Sequence, residues 1–78
     1  MSSNAQEILT ALGGPQNVQV VEPCITRLRV EVVDPSVVDE QGLRDAGAFG
    51  VVLQGFVVQV GIGPDADDLY REMLPLMV

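Results

Sequence analysis

From Thr26 to Val33 the chain alternates, residue by residue, between two kinds of side chain. Leu28, Val30 and Val32 fall on one side, and Arg27, Arg29 and Glu31 on the other. Successive side chains of a strand point to opposite faces. The pattern therefore demands a strand with one face on a core and the other turned to water, as antiparallel sheets allow. Both arginines fall on the uncovered face.

The flanking segments supply partners for that strand. Residues 4–13 read as a helix: Asn4 suits the N-cap, Glu7 completes a capping-box pattern, and Ile8, Leu9 and Leu12 make an apolar face. Gly13-Gly14-Pro15 stops it. Val18, Val20 and Val21 predict a strand over residues 17–22, ended by Pro23, which cannot donate to a ladder. Cys24 and Ile25 then sit in a tight connection, in or beside the turn of a hairpin. Asp34-Pro35-Ser36 is a turn, and Ser36 or Asp39 caps a short helix over 39–46 with Leu43 inward and Gly42 as a weak point. Val51-Val52-Leu53 and Val57 to Ile62 form a second hairpin around Gln54-Gly55. Asp65 caps a last helix over 66–74, with Ala66, Leu69, Tyr70, Met73 and Leu74 on one face, and Pro75 ends or kinks it.

The order is α-β-β-α-β-β-α. Its simplest packing is an α+β fold, a four-stranded antiparallel sheet with the helices on one face. At 78 residues the chain is one domain, 1–78, with a core over about residues 4–75. A chain this short buries only about 60% of its unfolded surface, so a shallow surface site is expected rather than a deep pocket.

Charge and composition narrow the chemistry. The net charge is -7, all four basic residues are arginine, and lysine is missing. Such a chain is unsuited to nucleic acid or to anionic lipid. No apolar run reaches the length that spans a bilayer, and Met1-Ser2-Ser3-Asn4 lacks the start of a signal peptide, so a cytoplasmic protein is expected. The single cysteine fits a reducing compartment. With no histidine, the usual metal sites and a Cys–His pair within the chain are excluded, and no cofactor is expected.

What remains is the stretch Pro23-Cys24-Ile25-Thr26-Arg27-Leu28-Arg29-Val30, which holds the only thiol and two of the four arginines. Positive charge favours a thiolate, the nucleophilic form. Free amides of a tight loop cradle anions, and arginine binds phosphate through two donors at once. The stretch is thus an anion-handling thiol site, fit for a phosphoryl acceptor or for a redox thiol. Plainer readings stand beside it. A free cysteine is more often a small buried apolar residue. Arg29 can simply pair with Glu22 or Glu31, and Gln59 can bond backbone within its strand. Asp65, Asp67 and Asp68 are better read as solvated charge at a helix start than as a metal cluster. Gly13 and Gly14 match no phosphate-loop pattern.

Cys24-Ile25-Thr26-Arg27-Leu28-Arg29 resembles the enzyme IIB domain of the bacterial sugar phosphotransferase system, glucose and N-acetylglucosamine type. The likeness runs over about residues 5–74. It includes Ala11-Leu12-Gly13-Gly14 with Asn17 and Val18, then Val38-Asp39, Gly42-Leu43, Gly47-Ala48, Gly50-Val51-Val52, Gln59 and Gly63. The resemblance implies a phosphotransferase in which Cys24 takes a phosphoryl group from a phosphohistidine of a IIA partner. Cys24 then passes it to sugar bound by a membrane IIC partner. Arg27 and Arg29 match the arginines needed for onward transfer; Ile25, Thr26 and the loop amides hold the phosphoryl oxygens, with Gln59 as a further contact. It implies the same sheet-and-helices fold, a place at the inner face of the membrane through IIC, and a separate polypeptide or an excised domain. The chain departs from the family pattern at Phe56 and Val57, where small residues are usual after Gly55 at a hairpin tip expected beside the site. It departs again at Gly61, where an apolar residue is usual. A second reading is a regulatory module whose phosphorylation controls docking, marked by apolar exposure around Ile25, Phe56 and Val57. A redox role is disfavoured for want of a second, resolving cysteine.

Overall fold

A computed structural model describes residues 4–77 of the chain. The alternating segment becomes β2 (Arg27–Val32), with Leu28, Val30 and Val32 buried. β1 (Val18–Cys24), β3 (Gly50–Gln54) and β4 (Val57–Gly61) complete a four-stranded sheet in the order β1-β2-β4-β3. Every neighbouring pair is antiparallel. The helices α1 (Asn4–Ala11), α2 (Glu40–Asp45) and α3 (Ala66–Met73) interleave with the two hairpins in the expected order. Residues 1–3, on which the lack of a leader was read, lie outside the described residues.

The register sorts the sheet into two kinds of cross-strand row. Val21, Val30, Val58 and Leu53 form one row, and Pro23, Leu28, Val60 and Val51 another. These rows face the helices. Ile8, Leu9 and Leu12 of the first helical segment, Leu43 of α2, and Ala66, Leu69 and Met73 of α3 close over them in a single core. Each fully buried aliphatic side chain there is worth about 1.5–3 kcal/mol relative to exposure. The intervening rows face the other way and have no helix over them.

The helix ends follow from local chemistry. After α1 the Gly14 amide donates to the Leu9 carbonyl at 2.8 Å and the Gly13 amide to Thr10 at 3.1 Å. This is the paired closure of a Schellman motif, and it needs Gly13 at φ 105. The Asp39 carboxylate caps α2, accepting from the Gly42 amide at 3.0 Å. The Asp34 carboxylate caps the short turn after β2, accepting from both the amide and the hydroxyl of Ser36. Those two bonds, the hydroxyl's first, hold the Asp34 carboxyl below the ordinary carboxylate range.

Five local expectations need correction. Pro23 does not end β1; it lies within it, paired with Leu28. The strand is at the sheet's edge, where the missing N–H costs no ladder bond. Cys24 is therefore the last residue of a strand rather than part of the connection. Asn4 is already inside α1 instead of capping it. Asp65 holds the N-cap position of α3 but makes no side-chain bond to it, and Leu74 falls in a 3-10 turn after the helix, 41% exposed.

Candidate functional site

The uncovered face is built of three cross-strand rows. At one end Cys24, Arg27, Gly61 and Gly50 lie side by side across the four strands. Next come Glu22, Arg29, Gln59 and Val52, and beyond them Val20, Glu31, Val57 and Gln54. Residues directly paired share a face, so the thiol and the Arg27 guanidinium spring from adjacent strands toward the same side. Cys24 is free and exposed.

Arg27 Nη1 donates to Gln59 Oε1 at 3.4 Å, a long contact that aims the guanidinium over the face. Gln59 thus bonds a site arginine rather than backbone. Arg29 sits one row further from the thiol. Its Nη1 donates to Glu31 Oε2 at 2.9 Å and lies 3.4 Å from Glu22 Oε1. The hydrogen bond to Glu31, followed by the charges of both glutamates, raises the Arg29 pKa above the ordinary guanidinium value. The plain reading of Arg29 as an ion-paired strand residue describes this geometry.

Two glycines flank Arg27 on its far side and leave a shallow depression lined by Arg27, Phe49, Gly50, Val52, Gln59 and Gly61. Phe49 is 69% exposed and its ring lies over Gly61, where an added Cβ would come within 2.8 Å of Cε1. The usual apolar residue at position 61 would collide with that ring. The glycine and the aromatic belong together, and neither was singled out from the sequence as part of the site.

The turn joining Cys24 to Arg27 is two residues long, Ile25 and Thr26. The Thr26 carbonyl accepts from the amides of Ile62 at 2.9 Å and Gly63 at 2.8 Å, tying the turn to the segment after β4. Among the described residues, no hydrogen bond runs from the amides of Ile25 or Thr26, so both are free for an anion. Ile25 holds φ 59 and is 87% exposed. A β-branched residue in the left-handed region is strained by about 1–2 kcal/mol. Glycine there relieves the strain and adds about 0.5–1 kcal/mol of unfolded-state entropy. Ile25→Gly should therefore leave the urea midpoint unchanged or slightly higher. A clear drop would mean that the Ile25 side chain packs in a way its exposure denies.

The structure brings Cys24, Ile25, Thr26 and Arg27 to one end of the sheet, and Arg29 and Gln59 to the neighbouring row. It does not bring Phe56 and Val57 there. Val57 lies in the third row and the Gly55-Phe56 turn beyond it, at the opposite end from the thiol. The hairpin tip expected beside the site is remote from it, and Ile25 and Phe56 do not form one apolar patch. Asp68 pairs with Arg71 one turn along α3. Among the described residues no three acidic, cysteine or histidine side chains converge on a metal-sized point. Nor is any helix there long and apolar enough to cross a membrane.

The fold and its face define a class: a small α+β domain presenting one thiol beside arginine at the edge of a bare antiparallel sheet. The family model for the phosphotransferase system, EIIB, matches residues 6–39. A Streptomyces coelicolor protein described as the N-acetylglucosamine-specific EIIB component of that system is 49% identical over 77 residues, covering 99% of this chain and 100% of that protein. In structure the chain is similar to one domain of the IIabc component from Clostridium difficile, with TM-score 0.79 at 23% identity over 95% of this chain and 78% of that one. The chain belongs to the EIIB family of the phosphotransferase system, and is a phosphotransferase component of sugar uptake.

Proposed function

We propose that Cys24 is the phosphoryl-carrying residue. In the first half-reaction the N–P bond of a phosphohistidine on a IIA partner breaks, its electron pair stays on the imidazole, which takes up the thiol proton, and an S–P bond forms at Cys24. In the second the S–P bond breaks, its electron pair returns to sulfur, and an O–P bond forms at a hydroxyl of sugar held by a membrane IIC partner, the hydroxyl proton ending on the sulfur. The observation that carries this reading is the exposed thiol sharing a row with Arg27 on an uncovered face. A thiol so placed is open to one protein and then another.

Phosphoryl transfer asks a protein mainly for positioning and for charge around the equatorial oxygens. The free amides of Ile25 and Thr26 supply donors on one side, and Arg27, aimed by Gln59, supplies a fork on another. Arg29 joins in the onward step. The whole-length likeness to an N-acetylglucosamine-specific component supports that amino sugar as the substrate class. The domain works at the inner face of the membrane, where IIC presents the sugar.

Incubation with the general phosphotransferase proteins, phosphoenolpyruvate and a matching IIA should add the mass of one phosphoryl group to the chain. Cys24→Ser should abolish that gain. Absence of the gain, or its survival in the serine variant, would reject Cys24 as the carrier.

A further inference from the structure

The two guanidiniums of the uncovered face are held differently. Arg27 makes one long bond to a neutral amide, Gln59. Arg29 lies between two carboxylates, with Nη1 at 2.9 Å from Glu31 and 3.4 Å from Glu22. The register explains the arrangement. Glu22 is the direct cross-strand partner of Arg29, and Glu31 follows Arg29 two residues on along the same face of β2. Glu22 also precedes Cys24 by two residues on the same face of β1. Along its own strand the thiol's nearest charged neighbour on the uncovered face is therefore an anion. A phosphoryl group arriving at Sγ meets that repulsion and finds Arg29 already occupied.

We propose that Glu22 and Glu31 are positioning residues that hold Arg29 back from the bare thiol and yield it to the phosphoryl oxygens once Cys24 is loaded. The proposal rests on the reading of Cys24 as the carrier. The exchange is feasible because the clamp is wet: the Arg29 and Glu31 side chains are 41% and 37% exposed. A solvated ion pair of this kind is weak. A phosphoryl dianion, with three acceptor oxygens, makes shorter and stronger bonds to a guanidinium than a shared carboxylate does. The clamp also has a use. A guanidinium free to embrace the phosphoryl group from the start would stabilise phosphocysteine and hinder its departure. Because each bond from Arg29 to the phosphoryl oxygens is made at the expense of one to a glutamate, the loaded thiol is stabilised less and stays reactive.

Two readouts test the clamp, and the first needs no phosphotransfer. Cys24 is the only cysteine, so alkylation reports on it alone. Iodoacetate and iodoacetamide each form an S–C bond and expel iodide, and the ratio of their rates cancels the thiol's own reactivity and reports local charge. Glu31→Gln should raise the iodoacetate-to-iodoacetamide ratio roughly threefold by freeing Arg29. Glu31→Asp should stay near the parent. The effect of Glu31→Gln should vanish in an Arg29→Gln background, since Glu31 lies a row beyond Arg29 and acts through it. A ratio unchanged by Glu31→Gln, or changed equally without Arg29, overturns the clamp. In the second readout, at a fixed ratio of phosphorylated donor, Glu31→Gln should raise the phosphorylated fraction of the chain several-fold. Equal labelling of parent and variant again overturns the clamp. Failure of the parent to label at all rejects the carrier reading, while the alkylation ratio still decides whether Glu31 restrains Arg29.

Discussion

Arg27→Lys is expected to separate the two half-reactions, leaving phosphorylation of Cys24 by the donor within about threefold of the parent while transfer to sugar falls about a hundredfold or more. The first number follows from charge, which lysine keeps. The second follows from shape. Arg27 shares a row with Cys24 and its guanidinium is aimed over the face by Gln59. A planar fork can hold two phosphoryl oxygens at once and keep one while the group moves from sulfur to a sugar hydroxyl; an ammonium is a point charge and cannot. In the proposed first half-reaction a donor protein would also hold the phosphoryl group, so the loss of one fork would be shared. In the second the group must leave a thiolate, and the donors facing it from this domain are few. Arg29→Lys should act in the same direction. The measurement is a single-turnover chase: phosphorylated domain is mixed with sugar and vesicles bearing the membrane partner, and loss of label is followed in time. Sugar transfer at the parent rate in Arg27→Lys would remove Arg27 from the onward step.

The strand that organises the fold was legible because its code is short-range. Leu28, Val30 and Val32 need only the two-residue period to be assigned to a core, and the structure buries all three. The antiparallel sheet and the helix order followed from turn residues between such segments. What the pattern could not supply was register. Whether Arg27 or Arg29 shares a row with Cys24 depends on a two-residue turn, and a shift of one residue would have sent both arginines to the core face. Pro23 was misplaced for a related reason: proline ends an inner strand but not an edge, and edge position is a tertiary fact. Phe56 was expected near the thiol on the strength of the family resemblance, whereas β4 runs antiparallel to β2, so Gly61 lies beside Arg27 and the Gly55-Phe56 tip falls at the opposite end of the sheet. The seating of Phe49 over Gly61 is a match of large against absent side chain between residues far apart in the chain. Of the candidate site, the residue types were legible in the sequence; the rows that assemble them were not.

Asn17→Ala is expected to lower the unfolding free energy by about 3 kcal/mol, more than the loss of any surface charge. The sequence pattern places Asn17 at the first position of a strand over residues 17–22; in the structure it ends a short 3-10 turn just before β1. In the fold it is 6% exposed and saturated. Its Nδ2 donates to the Leu12 carbonyl at 2.7 Å and to the Asp34 carbonyl at 3.1 Å, while its Oδ1 accepts from the Asp34 amide at 2.8 Å. One side chain thus joins the C-terminal end of the first helix to the segment that follows β2. Alanine leaves two carbonyls and one amide without partners, the Leu12 carbonyl at the buried end of the network and the other two groups on the exposed Asp34, and each orphan shut from water costs about 1–3 kcal/mol. Partial access of water to Asp34 keeps the sum near the low end. Against the roughly 0.05–0.15 kcal/mol per residue typical of small domains, this is a large fraction of the whole. Urea unfolding should show the midpoint falling with the slope unchanged, since the loss is in the folded state and the unfolded surface is the same. Gly13→Ala provides the internal control. An added Cβ there would press to 2.7 Å from Asn17 Nδ2, at φ 105 that only glycine holds easily. Part of its cost is displacement of the Asn17 amide, so the two changes should combine to less than their sum. Full additivity, or a cost of Asn17→Ala under about 1 kcal/mol, would show that the Asn17 network is replaced by water and does not hold the first helix to the sheet.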